Sequence, residues 1–582
     1  IVNTLQYLIE VARMHQISPW HYYNTAFGLE NIKVLAFYGG DPRDELNKLD
    51  KSDASTSKVA IENIKNLMVK SETTDEFNKE LLKPLQKLEH LYMISNGNFT
   101  KDIFEDFNTL VGLYLRYNKN LKKINVGLME NLKNLRRLTI NHCNIKIFES
   151  GNFKGLSQLE ELDLQENNTA DLVVGVFKDI PKVQKLTLSR NKIKALPDKI
   201  FEGLLVLNQL DLSNNLLEEL NEEAFNQNNS LSYLKLSNNR INSLTTNNFK
   251  NLSSLVQLNL DRNKLEHLNE NTFQELHKLD YLALNNNKMS KIEVGALDHL
   301  NSLRVLLLQY NNIATLEQNT FNNLDKVEVI QMDHNKIEEL PLDSFGNLPS
   351  VQNILLQSSN IKNIKNAEGI GPKNLSYLHL EENHFSCLSS GIFKGFGTLV
   401  NLDLNESKIE KLEKDWCVGL ESLKLLNLNG NKLKHLPENS FYTLNSLKTL
   451  NLSRNELEHI DRRAFSSLKA LSNLNLCDNL LIEINSEMFE GLESLRALGL
   501  GNNEITQLKE NSLGRLETLI YLDLSENRLE SIDSGTFSYI SKLTTLDLGY
   551  NGLRTVGSSL LDLKDLGKLV LSYNYLDEIS DE

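Results

Sequence analysis

A single 24-residue unit recurs in constant phase from Leu135 to about Asn551. The copy beginning at Leu207 reads LNQLDLSNNLLEELNEEAFNQNNS, and the one beginning at Leu447 reads LKTLNLSRNELEHIDRRAFSSLKA. In general form it is L-x-x-L-x-L-x-x-N-x-L-x-x-L, followed by a Phe and then a Leu. A fixed period of this length marks a solenoid, in which each unit packs only on its neighbours. It therefore constrains the fold more than any local propensity. It also removes the usual limit on domain size, since 582 residues would otherwise divide into several globular domains.

The Asn sets the phase. It stands at Asn167, Asn191, Asn215, Asn239, Asn263, Asn287, Asn311 and Asn335, then at Asn383, Asn431, Asn455, Asn479, Asn503, Asn527 and Asn551. Cys143, Ser359 and Ser407 fill the same slot, and Asn574 comes one residue early. Upstream the register loosens through Asn118 and Asn96 to a weak copy around Ile64, Leu67 and Val69, and the earliest strand is expected at 32–37. Roughly 22 to 23 repeats result, the outermost being atypical, as solenoid ends are. In L-x-x-L-x-L the apolar residues alternate with polar ones, which is the strand period. Leu210 and Leu212 are expected to point inward, Gln209, Asp211 and Ser213 outward, and the copies to stack as one long parallel sheet. The Asn carboxamide is suited to pair the backbone groups of the turn that follows, a task Cys143 and Ser359 can do only in part. The Phe ten residues later (Phe153, Phe177, Phe201, Phe225, Phe249, Phe273) fills the outer half of the core. Its absence at Leu297, Gly369, Cys417, Leu513 and Leu561 predicts thinner points there.

With this pattern the chain resembles the typical-type leucine-rich repeat family, whose extracellular members include Toll-like receptor ectodomains, chaoptin, Slit and the acid-labile subunit. The resemblance spans about nine-tenths of the chain. It implies an α/β solenoid, a leucine-rich repeat horseshoe with a continuous parallel β-sheet on the concave face and mostly irregular or short helical convex segments. Residues 1–80 read as degenerate N-terminal repeats or a cap, with a mobile polar insertion at about 41–58, and residues 81–582 as the repeat solenoid. The stretch 367–373 (AEGIGPK) replaces one Phe segment and predicts a local loop.

Composition narrows the function. A formal net charge of -15 argues against nucleic acid or an anionic membrane as partner. No apolar run is long enough to span a bilayer. The chain begins at Ile1, which suggests a removed signal peptide or a fragment, and an anchor or further domain is expected to follow Glu582 in the full protein. Four cysteines without paired flanking clusters give no disulfide framework. Cys143 and Cys417 read as buried, Cys387 as lying on the descending loop, and Cys477 as the exposed thiol. N-glycosylation triplets occur at Asn98, Asn228, Asn251, Asn374, Asn405 and Asn451, and also at Asn167, a buried ladder position.

Catalysis finds little support. Metal-protease, C-x-x-C and Walker-type motifs are absent from the sequence, and the twelve His read as scattered through different repeats. Asp523 and Asp547 read as a solvated acidic pair. No nucleophile, base and orienting partner can be argued together. No cofactor or metal is expected, and the chain reads as non-enzymatic.

The informative positions are those the repeat leaves free: the third, fifth and eighth of each copy. In most copies they are polar, as in Lys185, Thr187 and Arg190. Then Tyr281, Val305 with Leu307 and Tyr310, Val329, Leu355 and Tyr377 occupy such slots on consecutive strands, with His379, Gln331, Asn353 and His334 among or beside them. A contiguous exposed apolar patch marks an interaction site more often than not. The expected function is an extracellular protein-binding protein, either a receptor ectodomain or a secreted adhesion or innate-immune factor, with dimer formation left open. A secreted carrier subunit and an intracellular adaptor are the alternatives.

Overall fold

The computed structural model describes the strand Val34–Phe37 and residues 65–71, 79, 83, 85–95, 99–366 and 369–577. The segment read as an insertion at 41–58, and Asn96 and Asn98, lie outside the described residues. The chain divides into two compact units, Ile1–Lys235 and Leu236–Glu582, which share one architecture.

In the first unit the strands Val34–Phe37, Asn66–Ser71, His90–Ser95, Gly112–Arg116, Arg137–Asn141, Glu161–Asp163, Lys185–Thr187, Gln209–Asp211 and Tyr233–Lys235 pair in succession, all parallel. In the second a parallel ladder of the same kind runs from Gln257–Asn259 to Lys568–Val570. From Glu161 to Asp547, the described pairings within each of these two ladders join residues 24 apart, so like positions of neighbouring repeats stand side by side. The inward Leu or Ile of each strand from Asn66–Ser71 to Thr545–Asp547 is buried, and Leu210 and Leu212 with them, whereas Leu569 of the last strand is exposed. Each such side chain contributes about 2 kcal/mol of burial, repeated at every turn of the solenoid.

The ladder Asn works as its chemistry requires. Asn215 Nδ2–H donates to Leu188 O, Leu212 O and Ser213 O at 2.9, 3.0 and 3.3 Å, while its Oδ1 accepts the Ile193 N–H at 3.1 Å. One side chain thus ties two repeats. Ser359 donates to Met332 O and Gln357 O at 3.2 Å each and accepts from Asn335 N–H at 3.3 Å. A hydroxyl is too short to reach the amide two residues further on, so its turn is held by fewer bonds. The residue before the ladder position lies in the left-handed region, as at Arg190 (φ 56°), Tyr310 (φ 57°) and His334 (φ 56°). A non-glycine residue there costs roughly 1–2 kcal/mol. The N–H that this conformation aims at the next repeat offsets that cost: Arg190 N–H reaches Ser213 O at 2.9 Å, and Tyr310 N–H reaches Asp333 O at 3.0 Å.

From residue 85 on, the described residues behind the strands form turns rather than α-helices. The described residues hold single 3-10 turns at Leu342–Phe345 and Gly557–Leu560, and short two-stranded ladders such as His435–Leu436 with His459–Ile460. The helical part of the expected class is therefore reduced to these turns. A 24-residue repeat leaves too few residues behind each strand for a helix with its caps.

The Phe rings stack as a spine. Phe153, Phe177, Phe201 and Phe225 follow one another at centroid spacings of 6.2, 6.2 and 5.7 Å. The thinner point predicted at Cys417 is corrected, because Trp416 turns its whole ring into that space. The indole packs edge-on against Phe393 and Phe441, and its Nε1–H donates to Ser440 O at 2.8 Å. Leu561, by contrast, is exposed. At the 369–373 segment Gly395 has φ 92° and no room for a Cβ, which would lie 2.6 Å from Gly369 O and Gly371 N.

Candidate protein-binding face

The expected patch falls wholly within the second unit. Register places Tyr281, Val305, Val329, Asn353 and Tyr377 in one row across five hydrogen-bonded strands. A second row holds Ala283, Leu307, Gln331, Leu355 and His379. Tyr281, Val305 and Val329 are direct neighbours, all half-buried on the outer face of the sheet. Leu307 and Leu355 are half-buried too, separated by Gln331, so the apolar surface is broken once by an amide. Tyr377 and Tyr310 are exposed. Tyr310 stands at the left-handed position and stacks on His334 at 4.2 Å, and His334 Nδ1 meets Asp333 Oδ2 at 2.8 Å. The sheet thus brings the expected patch residues other than Tyr310 into two rows, with Ala283 and Asn353 as smaller or polar members, while Tyr310 lies in the turn after its strand.

One edge of the face is charged. His379 Nδ1 pairs with Glu381 at 3.4 Å, and this partner raises the imidazole pKa above its ordinary value. Burial raises the carboxyl of Asp403, the next residue along the row, with the Glu381 charge adding to the effect. Burial also raises the Tyr281 phenol.

Beside the two rows runs a third feature that sequence reasoning missed. The seventh position of five consecutive repeats holds Gln309, Asp333, Gln357, Glu381 and Asn405. In each, one side-chain oxygen is buried and has no hydrogen-bond partner within the protein among the described residues. Elsewhere this slot often holds a small residue that bonds on its own strand. Ser213 Oγ–H donates to Asp211 at 2.6 Å, and Ser525 does the same to Asp523. Outside this stretch the slot also holds Gln165, Asp261, Asn285 and Asn429, and Asn141 has an unpaired oxygen there too, so residue type alone does not mark the run; the five consecutive unpaired oxygens share four repeats with the apolar rows.

Other sequence expectations fare unevenly. Asn228 is corrected as a glycan acceptor: it is buried, and its Nδ2–H points to Phe201 O and Leu204 O at 3.4 and 3.3 Å. A glycan on that nitrogen would have to displace the core around it. Asn251, Asn405 and Asn451 are half-buried and Asn374 is exposed. Cys477, read as the exposed thiol, is half-buried, and burial pushes its pKa up to about 11. The His residues are not all scattered. His435 and His459 stack at 5.5 Å and share Asp461, whereas His277 and His299 lie 6.0 Å apart. Two aromatic pairs also went unnoticed: Tyr92 on Tyr114 at 4.3 Å in the first unit, and Tyr550 on Tyr573 at 4.1 Å in the second. Both join like slots of neighbouring repeats. Among the described residues no helix is long and apolar enough to cross a membrane.

The repeat geometry has a direct counterpart among known proteins. The family model described as "Leucine rich repeat" matches ten times in succession, from residues 108–169 to 517–576, over more than half the chain. The chain belongs to the leucine-rich repeat family. None of the curated protein sequences matches it. Among solved structures, a chain of the Drosophila Toll–Spatzle complex is similar to this leucine-rich repeat protein with a TM-score of 0.65 at 18% identity, covering 93% of this chain and 87% of that one. A glycosylated form of the same complex gives 0.56 at 19%, covering 90% and 62%. A leucine-rich repeat protein of Leptospira interrogans gives 0.50 at 24%, covering 76% and 98%. At these identities the likeness establishes the fold alone.

Proposed function

We propose that this leucine-rich repeat protein is a non-enzymatic extracellular recognition protein, a receptor ectodomain or a secreted adhesion or innate-immune factor. It binds a protein partner on the sheet face between Tyr281 and His379. The observation that carries the reading is the overlap of two features on four repeats: half-exposed apolar rows, and a file of side-chain oxygens that nothing among the described residues satisfies. Unpaired buried acceptors cost about 1–3 kcal/mol each, and a repeat free to carry Ser at that slot has no structural need of Gln, Asp or Glu. A partner that lays an apolar strip across Tyr281, Val305, Leu307, Val329 and Leu355, and toward whose N–H donors Asp333 and Glu381 turn their now buried oxygens, would use both features. The fold it shares with a chain of the Toll–Spatzle complex, described as a hub in Drosophila development and innate immunity, is compatible with a protein ligand.

The test is the double variant Leu307→Asp/Leu355→Asp. Both side chains are half-buried at the surface, so the fold is kept. Placing charge at the centre of such an interface removes more than about 2 kcal/mol of binding, or at least about thirtyfold in Kd. A partner isolated with the parent protein and retained at full affinity by the double variant places binding elsewhere.

A further inference from the structure

Away from the proposed binding face, one side-chain cluster has the composition and spacing of a metal site. We propose that His435, His459 and Asp461 bind a late first-row divalent cation of the zinc class.

The site is built by the repeat. His435 and His459 are paired residues of the short parallel ladder His435–Leu436/His459–Ile460, and the following Leu436 and Ile460 are buried, which anchors both backbones. The imidazoles stack at 5.5 Å with planes 24° apart. Both turn Nε2 toward the same atom, Asp461 Oδ1, at 2.9 Å from His435 and 3.1 Å from His459. Asp461 is itself held. Its N–H donates to Leu436 O at 2.9 Å, and its Oδ2 accepts the Glu438 N–H at 3.3 Å. Such a backbone donor fixes a metal-binding carboxylate in place.

The three ligand atoms lie within 4.8 Å of one another. Around tetrahedral zinc, with bonds of about 2.0–2.1 Å, ligand atoms stand about 3.4 Å apart. A cation between the three would need only small movements of exposed rings, and it would take the place of the two nitrogen contacts that now converge on a single oxygen. The donor set chooses the metal. Two imidazoles and one carboxylate suit zinc and its neighbours, whereas calcium and magnesium take oxygen ligands. Three protein ligands leave a fourth position, and the exposure of His459 keeps it open to water or to a ligand from another molecule. The histidine pair does not extend along the ladder, because the same slot holds Lys411 in the repeat before and Glu483 in the repeat after.

The experiment is calorimetric titration of the full 582-residue chain with Zn2+, followed by Co2+ as a spectroscopic substitute. Expected are one equivalent bound and a visible Co2+ absorption band. His459→Ala and Asp461→Asn should each weaken binding at least about tenfold, with circular dichroism unchanged because His459 is mostly exposed. His277→Ala, in the other histidine pair, should bind as the parent does. Absence of Zn2+ binding by the parent, undiminished binding by His459→Ala, or equal loss in His277→Ala would each overturn the assignment, leaving the two contacts to Asp461 as ordinary hydrogen bonds.

Discussion

At the scale of single residues, the face proposed for binding is tuned by proton equilibria as well as by shape. Glu381 holds the His379 imidazolium, so the folded pKa lies above the ordinary 6.5. The stabilisation is therefore complete below about 6.5 and is lost as pH rises through the elevated folded value. Asp403 shifts stability with pH in the same direction, though over a lower range. Burial raises its pKa above 3.8, so its ionisation opposes folding as pH climbs past the ordinary carboxylate range. Proton NMR of the His379 ring should give a midpoint above 6.5 that falls back when Glu381→Gln removes the charge. A midpoint that ignores this substitution would show that the pair does not form in solution. The two charged groups facing His379 are Glu381 and Asp403, and both were visible in the sequence. What the sequence lacked was their burial, since an outward slot in a single repeat looks solvated until its neighbours are placed.

At the scale of the structural element, the repeat tolerates substitution when a neighbouring side chain can reach the vacated space. Cys417 in the Phe slot reads as a defect, yet Trp416 supplies a larger ring and a hydrogen bond to the next repeat. Trp416→Ala should cost about 3–5 kcal/mol in denaturant unfolding, against less than about 1.5 kcal/mol for Cys417→Ala, where little volume is lost. Comparable losses for the two would mean that the indole is not the core residue of this turn. The strands themselves were legible from L-x-x-L-x-L, because inward and outward positions alternate strictly. The short second ladders behind them were not, since in pairings such as Ile147–Phe148 with Asp171–Leu172 the single periodic apolar residue of each copy reads equally well as part of a turn.

At the scale of the molecule, both units present a sheet face of mostly polar residues, and in the second unit the rows from Tyr281 to Tyr377 break that pattern. The same packing sorts the glycosylation triplets. Produced in a eukaryotic secretory host, the protein should carry a glycan at the exposed Asn374, whereas Asn167 and Asn228 should stay bare because their amide nitrogens are buried in hydrogen bonds. Peptide mapping by mass spectrometry reads this directly, and a glycan on Asn228 would contradict the packing around Phe201.

The period alone determined that the chain is a solenoid, which residues are buried and where the backbone turns. Those choices are local, repeated, and written identically in nearly every copy. Tertiary structure decided what the free positions do. Whether Leu307 lies beside Gln331, whether a Gln oxygen finds a donor, and whether two histidines meet over one carboxylate depends on residues 24 positions apart being brought within a few ångströms. One repeat read by itself carries the pattern of its own strand but not the side chains of the strands it will touch.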